Sequence, residues 1–415
     1  MSTINNIIQV PGSKSIANRA LICAALADSS STIENCAPGD DTEAMLTALR
    51  VLGVNIQIDS QTVRVGGQLN LSDKREVIVD AKLAGTTSRF LTALCTLRSG
   101  ATVIDGGEPL RKRPMLGLHI ALKTLGANVS ALNEQGCLPV KVSHGSNLTA
   151  QISIDASFSS QFTSALMMIA PYMPDGLEIS LDKNIVSRGY IEMTIGVMRA
   201  FGASADFSGN TVWVSPTKYL GTKYVIEPDA SSASYPLGAM AISGGSLTVK
   251  NLFRTSLQSD VEFANLLAQM GCAVAQQSDG LSIARDGGSR LRGISVDMSQ
   301  MSDCVPTLAT VALFADSPTQ IKGVGFIRAK ESDRIGDLAK ELRKLGAEIQ
   351  ETPDGMVITP RRLTGAHLET HHDHRLAMAF GLLRREIAGV EIANPEVVSK
   401  SWPNYFAELA QFYKQ

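Results

Sequence analysis

The sequence predicts an α/β protein made of two similar lobes, each holding three copies of one unit. Three observations carry this. Short Ser/Thr-rich turns open apolar, small-residue helices at six places, about 71 residues apart. Amphipathic helices end at a glycine at five places. Proline-containing segments stand before the first and the fourth turn, with three units between them and three after.

In chain order, Ser13-Lys14-Ser15 precedes NRALICAALA, Thr86-Thr87-Ser88 precedes RFLTALCTL, and Ser159-Ser160-Gln161 precedes FTSALMMIA. Ser231-Ser232 precedes ASYPLGAMAI, Met301-Ser302-Asp303 precedes CVPTLATVALFA, and His372-Asp373-His374 precedes RLAMAFGLL. The second marker is a helix ending in glycine, at Gly53, Gly126, Gly202, Gly271 and Gly346. Glycine there is the usual left-handed helix stop. Strand-like runs such as AEIQ and ANVSA follow it. Each unit therefore reads as strand, buried helix, strand, amphipathic helix, strands. A sixth glycine-ended helix is not evident, so the repeat is incomplete at one point. The first lobe is expected over residues 12–227. Residues 228–415 form the second, completed by residues 1–11, with a hinge near Pro11-Gly12 and Pro228-Asp229.

The start, MSTINNIIQVPGSKS, has no basic region followed by a long apolar run, and no apolar stretch approaches 18 residues. Neither targeting segment nor membrane span is expected. Six scattered cysteines without a C-x-x-C pair point to reduced thiols in the cytoplasm rather than a disulfide framework or zinc site. A net charge of −2 and 5% aromatic residues argue against a nucleic-acid partner.

Local clusters tell more than net charge. A helix start offers unpaired N–H groups and a positive dipole end, which favour anions. Ser and Thr also serve there as caps. Basic residues at these starts oppose the dipole unless an anion is present. Lys14, Arg19, Arg89, Arg113 and Arg375 are so placed, Arg188 lies in SRGY, Arg328, Lys330 and Arg334 crowd RAKESDR, and Lys400 lies in SKSWP. The mixture of forked guanidinium and point-charge ammonium fits a ligand with phosphate and carboxylate groups. Asp303 and Glu331 lie in the same neighbourhoods, either as cap and ion-pair partner or as acid/base groups. His371, His372 and His374 lack the carboxylate or cysteine spacing of a metal site, and neither a P-loop nor a G-x-S-x-G motif occurs.

Taken in order, PGSKSIANRALI, AGTTSRFLTAL, GEPLRKRPM, SSQFTSALMM, ASSASY, RAKESDRI, HDHRLAMAF and SKSWPNYF resemble the 5-enolpyruvylshikimate-3-phosphate synthase family of enolpyruvyl transferases, from about Val10 to Phe406. The resemblance implies an inside-out α/β barrel fold, with three βαβαββ-type repeats per lobe and lobes that close on the substrates. It implies transfer of the enolpyruvyl group of phosphoenolpyruvate to the 5-hydroxyl of shikimate 3-phosphate, through a tetrahedral adduct. A monomer without metal or organic cofactor is expected.

The resemblance also assigns residues. Lys14 touches both substrates and assists catalysis, while Ser15 and Arg19 bind shikimate 3-phosphate. Ser159, Ser160, Gln161, Ser187, Tyr190, Asp303 and Lys330 complete that site. Gly85, Thr86, Arg113, Gln161, Arg334, His374, Arg375 and Lys400 bind phosphoenolpyruvate with Lys14. Asp303 is assigned to the 5-hydroxyl proton and Glu331 to the methylene. Gly85 lets the ligand approach closely and argues for sensitivity to phosphonate analogues such as glyphosate. Leu83, Phe90 and Phe326 depart from the commonest bacterial pattern, which has Asn, Pro and, in some relatives, Asn. Two alternatives share parts of this pattern: UDP-N-acetylglucosamine enolpyruvyl transferase, and an inactive ligand-binding relative. The first usually has Lys-Asn in its first turn and a Cys before its R-P segment, against Lys14-Ser15 and the Cys-free GGEPLRKRP here. The second is disfavoured by the presence of Lys14, Asp303, Glu331 and Lys400.

Overall fold

The structure is a computed structural model and describes residues 6–145, 149–182 and 185–412. The chain divides into two compact units. Residues 12–226 form the first, and the second takes the residues before Gly12 together with those from Glu227 onward.

The first unit holds three four-stranded sheets of one pattern. In the sheet of strands Gln151–Asp155, Leu177–Asp182, Thr211–Val214 and Ala205–Ser208, the first two run parallel and the rest antiparallel. Ile179 stands opposite Ile152 on one side and Val212 on the other, so one face is a continuous aliphatic row. Val79, Ile104 and Val140 are fully buried in the corresponding sheet of Val77–Asp80, Thr102–Asp105 and Val140–Ser143. The Ser31–Glu34 sheet takes its parallel neighbour from Lys223–Val225, far along the chain.

Helices Lys14–Leu26, Gly85–Leu94 and Ser160–Ile169 pack together inside these sheets. In Lys14–Leu26 every residue from Ile16 onward is buried, Asn18 and Arg19 included. A helix that is apolar almost all round belongs in a core. Each fully buried Leu or Ile contributes about 1.5–3 kcal/mol. The outer helices are amphipathic. All five glycines expected to stop them take positive φ: 93° at Gly53, 95° at Gly126, 83° at Gly202, 110° at Gly271 and 89° at Gly346.

The second unit repeats the plan. Its first sheet is completed by Asn6–Ile8, parallel to Gly245–Lys250, with Asn6 opposite Leu247. The second joins Ser295–Asp297, Thr319–Lys322, Gly355–Thr359 and Glu348–Thr352. The third keeps two strands, His367–Leu368 and Glu391–Ile392. Helices Ala230–Ser243, Val305–Ala312 and His374–Gly381 occupy the interior. The first two approach closely at Gly238, where a Cβ would lie 2.9 Å from the Thr307 methyl. Ser234 and Thr307 share a buried 2.9 Å hydrogen bond there. Among the described residues, no helix is long and apolar enough to cross a membrane.

Candidate active site

All six expected turns do start helices, and the side chains at those starts differ. Ser159 accepts from the Gln161 N–H, Asp229 from Ser232 and Asp373 from Arg375. The starts at Lys14 and Gly85 have no side-chain cap, and the buried Ser13 hydroxyl has no hydrogen-bond partner. Ser13 is therefore not the cap its position suggests.

In the first unit Arg19 is 1% exposed. Its Nε donates to Thr194 Oγ1 at 2.7 Å, Nη1 to the Ser15 carbonyl at 2.8 Å and Nη2 to Ser164 Oγ at 3.1 Å. Its guanidinium also lies over the rings of Phe90 and Tyr190, 5.2 and 5.7 Å from their centroids. All these partners are neutral. Burial pushes its pKa down to about 10, with Tyr190 and Cys23 opposing. A buried charge balanced only by dipoles and ring faces is costly without a counter-ion. Lys14 has found one, since its Nζ lies 2.9 Å from the buried Asp41 carboxylate. Ser187 starts the helix Arg188–Ala200 from a left-handed conformation, φ 53°, beside Tyr190.

Gly85 is enclosed by two guanidiniums. A Cβ there would lie 2.5 Å from Arg113 Nη1 and 2.7 Å from Arg89 Nη1. Arg89 is held in place by the carbonyls of Gly85 and Pro114 at 2.9 and 3.2 Å. The Gln161 amide donates to Thr86 Oγ1 at 3.2 Å, which joins the second and third turns. Lys14, Gly85, Arg113, Thr86 and Gln161 thus all lie at helix starts or beside them. Arg188 does not join them: it pairs with Glu192 at 3.1 Å and covers the Phe207 ring.

The second unit centres on Arg334, whose side chain is 2% exposed. It donates to Asp303 at 2.9 Å, Glu331 at 2.8 Å and Asp373 at 2.7 Å. Burial disfavours its charge, but Asp373, Glu331 and Asp303 outweigh that and raise its pKa. Arg375 donates to the other Asp303 oxygen at 2.6 Å, and Lys400 lies 3.1 Å from Glu331. Burial alone would raise the Asp303 carboxyl. Arg375, Arg334 and Lys330 reverse this and hold it well below the usual carboxylate range. Lys330 Nζ lies over the Phe326 ring, 5.9 Å from its centroid. His374 begins its helix fully enclosed, with Nδ1 3.6 Å from Asp373. Arg328, read with this cluster in the sequence, instead pairs outward with Asp333 at 2.8 Å and Glu351 at 3.6 Å.

Sequence reasoning missed three acids. Asp41 pairs with Lys14. Asp373 caps its helix and anchors Arg334, and its place between two histidines of HHDHR was the available signal. Asp260, in QSD, is buried and accepts from the Ser231 hydroxyl, while its other oxygen has no partner. Burial and then the negative charge of Asp303 push its pKa up to about 7.

Repeated helix-inside, sheet-outside units with cations and carboxylates at the helix starts define an α/β enzyme of the two-unit, inside-out type. The family model of EPSP synthase (3-phosphoshikimate 1-carboxyvinyltransferase) matches residues 1–409. A 3-phosphoshikimate 1-carboxyvinyltransferase of Nostoc punctiforme is 36% identical over 99% of this chain and 97% of its own length. One from Shewanella amazonensis is 38% identical, covering 100% and 98%, and the chloroplastic protein of Brassica napus is 39% identical, covering 99% and 84%. The solved EPSP synthase of Acinetobacter baumannii superposes with a TM-score of 0.81 at 26% identity, over 98% of this chain and 95% of that one. The chain belongs to the EPSP synthase family of transferases.

Proposed function

We propose that this chain transfers the enolpyruvyl group of phosphoenolpyruvate to the 5-hydroxyl of shikimate 3-phosphate and releases phosphate. Family membership supports the reaction. The observation in this chain that carries it is Arg19, a buried cation on the helix that begins at Lys14, whose partners are all neutral. Such a group is stabilised by an anionic ligand. In this reading Arg19, Ser15, Ser159, Ser160, Gln161, Ser187, Tyr190 and Lys330 hold shikimate 3-phosphate. Gly85, Thr86, Arg113, Arg334, His374, Arg375 and Lys400 hold phosphoenolpyruvate, and Lys14 serves both.

The chemistry is an addition followed by an elimination. The 5-hydroxyl oxygen bonds to C2 of phosphoenolpyruvate and gives its proton to Asp303, while Glu331 protonates the C3 methylene. The tetrahedral adduct then loses a methyl proton to Glu331, the C2–O bond to phosphate breaks, and phosphate leaves with the proton that Asp303 had taken. With Arg334 and Arg375 bonded to it, Asp303 is a weak base. An anionic substrate competes for those guanidiniums and returns basicity to Asp303 when the hydroxyl arrives. Glu331 likewise gains basicity once Lys400 and Arg334 turn to the ligand, takes up a proton from solvent and so enters the reaction as an acid. Holding both reactants in line lowers the barrier by about 7–11 kcal/mol.

The enzyme acts as a monomer in the cytoplasm in this reading, and its six free cysteines fit a reducing compartment. The test is phosphate release from phosphoenolpyruvate with and without shikimate 3-phosphate. Release that ignores this acceptor, or that requires UDP-N-acetylglucosamine instead, overturns the proposal.

A further inference from the structure

The HHDHR segment holds two histidines that the reaction does not use. His372 is exposed, and His371 is one-fifth exposed with both ring nitrogens facing carboxylates of the helix Gly336–Lys344. Its Nε2 donates to Glu341 Oε1 at 2.9 Å, and its Nδ1 lies 3.5 Å from Asp337 Oδ1. Asp337 and Glu341 are four residues apart and so share one helix face. Glu341 is fully buried and also accepts from Lys344 Nζ and, at 2.9 Å, from the Glu369 N–H. Burial would raise the Glu341 carboxyl, but Lys344 and His371 keep it below its ordinary value.

The backbone at this point is unusual. His371 and His372 take φ of 49° and 56°, the left-handed region that non-glycine residues seldom occupy in succession. Such strain persists only where contacts over-determine it. The next residue is Asp373, fully buried, which anchors Arg334 and caps the helix carrying His374 and Arg375. Three groups assigned to phosphoenolpyruvate therefore depend on where this turn is held.

We propose that His371 is a positioning residue, whose bond to Glu341 clamps the left-handed turn and thereby aims Asp373, Arg334, His374 and Arg375 at phosphoenolpyruvate. The clamp rests on the functional reading above. It acts through backbone and Asp373, without touching substrate. Asn tolerates left-handed φ but is too short to reach Glu341, so His371→Asn removes the tether and spares the backbone. His371→Gln keeps an N–H donor of longer reach.

The test measures KM for each substrate, kcat, thermal unfolding and amide exchange of residues 373–376 in the full chain. His371→Asn is expected to raise KM for phosphoenolpyruvate about tenfold, below the roughly hundredfold loss that a 1 Å misplacement can cause. KM for shikimate 3-phosphate stays within about twofold, since Arg19 is untouched. His371→Gln restores most of the loss, and exchange at 373–376 accelerates in His371→Asn alone. Unchanged exchange, or lower thermal stability with unchanged KM, overturns the clamp. The exchange measurement needs no substrate, so it stands apart from failure of the wild-type reaction, which would refute the functional reading instead.

Discussion

The two units use one repeat and handle charge in opposite ways. In the first, Arg19 is buried among hydroxyls, carbonyls and ring faces. In the second, Arg334 is buried among three carboxylates, with Arg375 and Lys400 on two of the same acids. The first arrangement leaves a charge for a ligand to neutralise. The second is already balanced, and a ligand must displace something in order to bind. In the proposed reaction that displacement changes proton affinities, which suits Asp303 and Glu331 to moving protons and Arg19 to holding an anion.

The largest expected effect breaks the chemistry of the second unit. Asp303→Ala should lower kcat about 10²–10⁴-fold while equilibrium binding of shikimate 3-phosphate stays within a few-fold. A wild-type rate would remove Asp303 from the mechanism. Next comes stability, measured by denaturant unfolding. Arg334→Met leaves Asp303, Glu331 and Asp373 facing one another and should cost about 3–5 kcal/mol. Arg19→Met removes a cation with no acid to strand. It should leave stability unchanged or higher, and weaken shikimate 3-phosphate about 10–100-fold. Equal destabilisation by both would erase the contrast.

Gly85→Ala sharpens the picture within the first unit. Its Cβ would press on Arg113 and Arg89, so KM for phosphoenolpyruvate should rise about tenfold with little change in unfolding free energy. The smallest effect is a pH dependence. Asp260 has a folded pKa raised to about 7, so it holds a proton that the unfolded chain has released. Its contribution to stability is complete below the unfolded carboxyl range, about pH 4, and is lost as pH rises through 7. Asp260→Asn keeps the shape without the ionisation. Unfolding free energies of variant and parent should therefore be similar near pH 4, with the variant the more stable at pH 8. Asp303 works in the opposite direction: its folded pKa is depressed, so its contribution is present above pH 4 and lost as pH falls further.

Much of the fold was legible because it repeats. Six helix starts and five glycine stops are local signals, and each corresponds to a short stretch of chain with one conformational solution. The missing sixth glycine stop did not say that the last sheet would keep two strands. The cations of the site were visible because a basic residue at a helix start is out of place. Their acidic partners were not. Asp373 reads locally as an ordinary cap, and Asp41 as one of several acids opening a helix. Only tertiary packing brings them to Arg334 and Lys14. Phe90 shows its part only in the fold, where its ring lies under the Arg19 guanidinium and shares in solvating it.

The pairing of Asn6–Ile8 with Gly245–Lys250 also orders events during synthesis. The first unit can close all its sheets once Lys223–Val225 has been made. The N-terminal strand has no partner until Leu247 emerges, a wait of about 12–50 seconds at ordinary translation rates. Residues 6–8 are thus paired only after the whole first unit has been made. From Val225 until Leu247 the nascent chain carries a finished unit beside an unclaimed strand edge, the kind of edge that invites wrong partners.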